Sequence, residues 1–188
     1  RQGAKEVIAT GCWATLEPEK ARSLQGVSKV IPNAQKDQLV SEVLDLEPRV
    51  FDQEPLEREM IPGARLRTRA FIKAQDGCDH RCTFCITTIA RGKGRSIPVD
   101  QILDQVRAAM RGGAQEVVLT GVQLGSWGHD LREDVGLSHV LQAVLRETDV
   151  PRVRLSSIEP WDVRMELIEM MTEDRVARQL HLPLQSGC

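Results

Sequence analysis

The sequence predicts an α/β fold built on parallel strands, in two unequal parts. Three observations carry this. Short apolar runs alternate with stretches of helical periodicity along the 188 residues, the pattern of a parallel sheet covered by helices. A stretch rich in proline and glutamate divides the chain near its first third. Hydrophobic residues make up 41% and charged residues 28%, which suits a globular chain and argues against disorder.

The first part is residues 1–46. Val7-Ile8-Ala9 reads as a short buried strand and Thr10-Gly11-Cys12 as the turn after it. Pro18 to Leu24 reads as a short helix and Val27 to Ile31 as a second strand, ended by Pro32-Asn33. Gln35 to Leu44 is predicted helical, with Leu39, Val40, Val43 and Leu44 on one face. Residues 47–64 follow as a linker. Pro48, Pro55 and Pro62 stand among Glu47, Glu54, Glu57 and Glu59, and no regular element survives prolines so placed.

The second part, 65–188, predicts the order β-α-β-α-β-α-β. Arg65, Arg67 and Arg69 alternate with Leu66, Thr68 and Ala70, and Phe71-Ile72 continues the strand. The three arginines then share one face, turned to RNA or to solvent. Residues 99–111 carry Ile102, Leu103, Val106 and Met110 at helical spacing, with Gly112-Gly113 as the stop. Val117-Val118-Leu119 is a buried strand. Leu137, Val140, Leu141, Val144 and Leu145 form the clearest helical stripe. Val153 to Leu155 is a third strand. Val163, Leu167, Met170 and Met171 mark a helix with Asp162 as its expected N-cap, and Leu180 to Leu184 is expected as a fourth strand. Four strands do not close a barrel, so the sheet is expected either to be open or to be part of a barrel. The chain opens on Arg1 rather than Met and stops at Cys188 directly after a glycine, which reads as a piece of a longer protein. No apolar run is long enough for a transmembrane helix, and no signal peptide is evident.

The net charge of −2 hides an asymmetry. Residues 65–95 hold eight Lys/Arg against two Asp/Glu, while both flanks are acidic. A local excess of this size attracts a phosphate or a carboxylate, or it is simply a solvated basic loop.

The basic stretch also holds the cysteines. Cys78, Cys82 and Cys85 form C-x3-C-x2-C in the loop after the first strand of the second part. That is the end of a parallel sheet where α/β folds place their chemistry. Five cysteines, three of them packed together, make a poor disulfide framework and a better metal or cluster site. Three thiolates on one loop suit a 4Fe–4S cluster with one open iron. The competing reading is zinc held by the same thiolates with His80, although structural zinc modules usually bring two separated ligand pairs.

The spacing, with Phe84 before the last cysteine, resembles the signature of the radical S-adenosylmethionine (SAM) enzymes. The longer strings resemble their methylthiotransferase branch. They are Gly77 through Ile86, Ala90-Arg91-Gly92 with Arg95-Ser96, Val117 through Val122, Leu155-Ser156-Ser157-Ile158-Glu159-Pro160 and His181-Leu182-Pro183-Leu184-Gln185-Ser186-Gly187. The stretch Leu119 to Gly128 is most similar to the tRNA branch acting on N6-threonylcarbamoyladenosine, with Trp127 where an aromatic is usual. Thr87-Thr88 departs from the Ile-Pro often found after the cluster.

The resemblance implies the end of a small α/β methylthiotransferase N-terminal domain at 1–46, then a partial radical SAM (βα) barrel of parallel strands at 65–188. It implies that Cys78, Cys82 and Cys85 ligate the radical-generating cluster, whose open iron chelates SAM. Cys12 resembles the last of three ligands of an auxiliary 4Fe–4S cluster. One thiolate cannot hold that cluster, so the chain as it stands is expected to lack it and to be inactive in the full reaction. Ser157, Glu159, Gln185, Arg91 and Arg95 are implied as cofactor or substrate contacts, with surface or ion-pair roles as the alternative. The implied enzyme is a cytoplasmic, monomeric tRNA methylthiotransferase. It replaces the C2 hydrogen of the modified adenosine beside the anticodon with a methylthio group, with electrons from a flavodoxin or ferredoxin and no membrane partner. The alternatives are a methylthiotransferase acting on another modified adenosine or on a ribosomal protein, and a zinc-stabilised nucleic-acid-binding module.

Overall fold

The computed structural model describes residues 6–44, 68–131 and 134–184. The expected linker 47–64, Arg65, Arg67, Gln185 and Cys188 lie outside them. The described residues form two compact units, one of 6–44 with 79–93 and the other of 68–78 with 94–131 and 134–184.

In the first unit, β1 (Val7–Thr10) and β2 (Val27–Ile31) pair in parallel, with Thr10 opposite Ile31. Between them lie α1 (Cys12–Leu16) and α2 (Pro18–Arg22). Proline at the first helical position starts α2 because the amide it lacks has no partner there in any case. The helix expected over 35–44 is in fact two pieces. A 3₁₀ segment, Asn33–Gln38, precedes α3 (Leu39–Leu44). Pro32 is extended and its carbonyl takes the Gln35 amide three residues on, which tightens the first turns.

The second unit is built on a three-stranded parallel sheet. β3 (Arg69–Lys73), β6 (Glu116–Thr120) and β7 (Val153–Leu155) lie side by side in that order. Between β3 and β6 the chain makes a short antiparallel pair, β4 (Gln75–Asp76) with β5 (Arg95–Ser96). It also makes α4 (Thr87–Arg91), which belongs to the first unit, and α5 (Val99–Arg111). α6 (Leu137–Glu147) joins β6 to β7, and α7 (Met165–Met170) follows. The expected stripes of α5 and α6 are the buried ones. Ile102, Leu103 and Val106 meet Val140, Leu141 and Val144 in one core with Ile72, Val117, Leu119, Val153 and Leu155. α5 ends at Gly112 as its glycine pair predicts.

Two expectations fail here. Leu180 to Leu184 is not a strand. Among the described residues, the chain's backbone pairing there is limited to isolated bridges, Val153–Val176 on β7 and Ser157–His181 beyond its end. Between them the Gln179 amide turns back to the Ala177 carbonyl at 2.7 Å, so it is lost to a ladder. Asp162 does not cap α7. It closes a 3₁₀ turn, Pro160–Asp162, and the N-cap is Arg164. Asp162 is turned instead toward the loop after β6.

At the amino end of the sheet the Glu116 carboxylate takes Arg154 Nε at 2.7 Å and Arg69 Nε at 2.9 Å. The arginine face expected for RNA or solvent is thus tied, at Arg69, into an ion triad. The hydrogen bond from Arg154 holds the Glu116 carboxyl below the usual range, against burial, which pushes it up. A lowered carboxyl stabilises the fold above its unfolded value, and that contribution is lost as pH falls through the folded value. Glu116→Gln is therefore expected to lose about 1.5–3 kcal/mol at neutral pH, the range for charged hydrogen bonds. Denaturant titrations down through the acid range should show the gap to wild type closing as Glu116 takes up its proton. A gap that stays constant with pH would disprove the assignment.

Candidate cofactor-binding site

The cysteine loop leaves the sheet at the carboxyl end of β3, as its sequence position predicts. The β4–β5 pair brackets the loop, with Asp76 opposite Arg95. Asp76 also takes Lys73 Nζ at 3.5 Å and Arg95 Nη2 at 3.9 Å. Arg95, proposed from sequence to reach a cofactor carboxylate, thus stands beside a carboxylate of its own chain. Arg91 is exposed at the end of α4, which Gly92 terminates with φ +81°.

Cys78, Cys82 and Cys85 are free thiols, the first half-buried and the other two exposed. Each thiol with a described sulfur contact meets a polar partner. In the second unit, Cys78 Sγ donates to Gln123 Oε1 at 3.2 Å. In the first unit, the Thr87 amide donates to Cys85 Sγ at 3.5 Å, and the Thr87 hydroxyl lies at 3.1 Å. The Thr87 side chain, then its amide, draws the Cys85 thiol below its ordinary value, and burial opposes this only weakly. A thiolate is the form that binds metal. The donor set therefore fits an iron–sulfur cluster in chemical type: free thiols with hydrogen-bond partners on one loop. Among the described residues, no three His, Cys, Asp or Glu side chains are grouped to hold a single metal ion.

Cys12 begins α1 in the first unit and is half-buried. Asn33 Nδ2 donates to its sulfur at 3.3 Å and to the Ala90 carbonyl of α4 at 2.9 Å. One amide therefore links Cys12 to the helix that follows Cys85. Sequence reading missed Asn33 and placed it only as a strand stop.

The carboxyl ends of β6 and β7 complete the second unit's share. Ser157 is exposed, with Oγ at 2.8 Å from His181 Nδ1. Glu159 is half-buried and precedes the 3₁₀ turn at 160–162. Trp127 is buried in the core and donates Nε1–H to the Ile97 carbonyl at 2.9 Å. The loop after β6 needs its glycines. A Cβ on Gly121 would stand 2.9 Å from Leu124 Cα and 3.0 Å from Gln75, and one on Gly125 would stand 2.3 Å from Asp162 Cβ. These absent methyl groups let Gln75 and Asp162 close on the loop from either side. No helix among the described residues is long and apolar enough to cross a membrane.

Comparison with known proteins agrees with this chemistry. The family model described as the radical SAM superfamily matches residues 72–187. A threonylcarbamoyladenosine tRNA methylthiotransferase of Rickettsia prowazekii is 35% identical over 97% of this chain and 45% of its own length. The enzyme of the same name from Aquifex aeolicus is 33% identical over 96% of this chain and 46% of its own. A tRNA-2-methylthio-N(6)-dimethylallyladenosine synthase of Staphylococcus haemolyticus is 36% identical over 64% of this chain and 24% of its own. The chain spans less than half the length of these curated relatives. With the cysteine loop at the carboxyl end of a parallel sheet and the family model running from β3 to Gly187, the chain belongs to the radical SAM superfamily, and its likeness falls among that superfamily's methylthiotransferases.

Proposed function

We propose that this chain carries the radical-generating part of a tRNA methylthiotransferase that places a methylthio group on C2 of N6-threonylcarbamoyladenosine beside the anticodon. The observation that carries the reading is the extent of the likeness. Relatives named for threonylcarbamoyladenosine match 96–97% of the chain. The dimethylallyladenosine relatives from two Staphylococcus species match 64% and 79%.

Cys78, Cys82 and Cys85 hold the 4Fe–4S cluster in this reading, and Cys12 contributes to the auxiliary cluster of the longer protein. When bound, the cluster and SAM supply the one-electron cleavage that makes an unactivated C–H bond reactive. The protein's own share is to bind, orient and shield. The Thr87 amide and the Gln123 side chain lie against two of the sulfurs. Ser157, Glu159, Gln185, Arg91 and Arg95 are proposed contacts for SAM or RNA at the carboxyl ends of the strands. Support for an anionic partner comes from the excess of Lys/Arg over residues 65–95, a charge that would meet the SAM carboxylate or RNA phosphates. A small flavodoxin or ferredoxin as electron donor, a cytoplasmic location and a monomeric state complete the proposal.

The test uses the full-length protein, reconstituted with iron and sulfide, with SAM and a reductant. Its substrates are tRNA carrying N6-threonylcarbamoyladenosine, tRNA carrying an isopentenyl-type adenosine, and ribosomal protein. The expected product is a methylthio nucleoside from the first substrate alone, read by mass spectrometry of the digested RNA. Modification confined to either of the other two substrates overturns the assignment.

A further inference from the structure

We propose that Gln123 is a positioning residue for the cluster, a hydrogen-bond donor to the Cys78 sulfur that raises the cluster's reduction potential. The inference rests on the proposed function above, in which Cys78 is a cluster ligand.

Three loops leave the carboxyl ends of β3, β6 and β7, and the Gln123 side chain joins all three. Its Oε1 lies 3.2 Å from Cys78 Sγ, in the loop after β3. Its Nε2 lies 3.3 Å from Asp162 Oδ2, in the loop after β7. Gln123 itself sits in the loop after β6 and is only 6% exposed. Its main chain is held at both polar atoms. The Gln123 amide donates to Gln75 Oε1 at 2.9 Å, and its carbonyl accepts the Ser126 amide at 3.0 Å and the Ser126 hydroxyl at 2.9 Å. Gln75 is more buried still, at 1%, and its Nε2 donates to the Asp76 and Gly77 carbonyls just before Cys78. One buried glutamine therefore fixes the backbone on both sides of the contact, and the other makes the contact.

A buried polar group is retained at a cost unless it is paired. This pair is fully engaged, and the Gln123 Oε1 is aimed at a sulfur rather than at the backbone. As a thiol, Cys78 donates and Oε1 accepts. A sulfur bound to iron carries no proton and can only accept. The amide meets that demand by a half-turn about its last torsion, which presents Nε2–H to the sulfur. Oε1 then comes to the side of Asp162, which is half-buried and can turn its carboxylate to water. Hydrogen bonds to cluster sulfurs stabilise the more negative, reduced cluster and raise its potential. Gln123 is placed to supply one at a sulfur that sits half inside the protein, where water supplies it least.

The protein is reconstituted anaerobically with ferrous iron and sulfide, without SAM. Iron per chain and the midpoint potential are measured by a redox titration followed by electron paramagnetic resonance. Gln123→Met keeps the length and removes the donor, and Gln123→Leu removes it with a shorter uncharged side chain. Gln115→Leu, exposed at the amino end of β6, is the control. The expected result is a more negative potential in Gln123→Met, with the control at the wild-type value. Gln123→Met adds no charge, so such a shift reports the lost donor. If that variant does not fold, Gln123→Leu, equally uncharged, carries the test through the same negative shift, or through loss of iron that the control retains. Wild-type potential and iron content in a folded Gln123 variant overturn the inference and leave the cluster reading standing. Failure of the wild-type protein to take up iron overturns the cluster reading itself.

Discussion

Cys82→Ala is expected to abolish cluster formation in the reconstituted protein. The same loss is expected for Cys78→Ala and Cys85→Ala, because a site built from three thiolates has no spare ligand. Among the described residues, the remaining cysteine, Cys12, stands in α1 with its own partner, Asn33. Cys82 and Cys85 are exposed, so truncating either side chain removes little packing. The fold is expected to keep its stability within about 0.5 kcal/mol, the usual range for surface changes. The measurement is the broad brown absorbance, with iron and sulfide counted per chain, beside a thermal melt. Full iron uptake by Cys82→Ala, or stoichiometric zinc with no iron in the wild type, is the result that would falsify the ligand assignment.

Trp127→Ala is expected to be the most damaging single change to the fold. The indole is 2% exposed and packs in the core that joins the sheet to α5 and α6. Truncating a buried Trp costs about 3–5 kcal/mol through lost transfer energy and the cavity left behind. Loss of the bond from Nε1 adds roughly 1 kcal/mol and strands the Ile97 carbonyl. Against a typical total of about 5–15 kcal/mol this threatens folding outright. Trp127→Phe separates the two contributions, since it keeps most of the ring and gives up the hydrogen bond. Urea titrations should rank wild type above Phe and Phe well above Ala. Far-ultraviolet circular dichroism follows the unfolding, because both substitutions remove the buried indole and the remaining Trp13 and Trp161 are 50% and 58% exposed. An Ala variant as stable as wild type would refute the core role.

The two tests probe different layers of what the sequence makes legible. The cysteine loop is local, since eight consecutive residues carry all three thiols and state their chemistry through spacing. The helices α5 and α6 are equally local. Their apolar residues recur with the helical period, and the residues that match are those found buried. The break at Gly112 and the strand at Val117–Leu119 follow from the same short-range rules.

The misreadings share a cause. Asp162 has the residue type and the position of an N-cap, yet its carboxylate takes the Gln123 side-chain Nε2 from 39 positions away. Leu180 to Leu184 has a strand's composition, but a strand exists only where a neighbour offers a ladder, and the chain turns at 177–179 before one forms. The 3₁₀ opening of the 33–44 segment depends on a single proline carbonyl. Gln75, Gln123 and Asn33 carry no sequence signal of their own, because glutamine and asparagine are ordinary on a surface.

Composition, period and spacing thus determined the α/β class, the main helices and the cysteine chemistry, since each depends on residues within a few positions of one another. Only the tertiary structure decided which polar side chains meet the sulfurs. The loops after β3, β6 and β7 are far apart in sequence and come together only when parallel strands place their carboxyl ends side by side. Burial there gives an amide the energetic reason to find a partner.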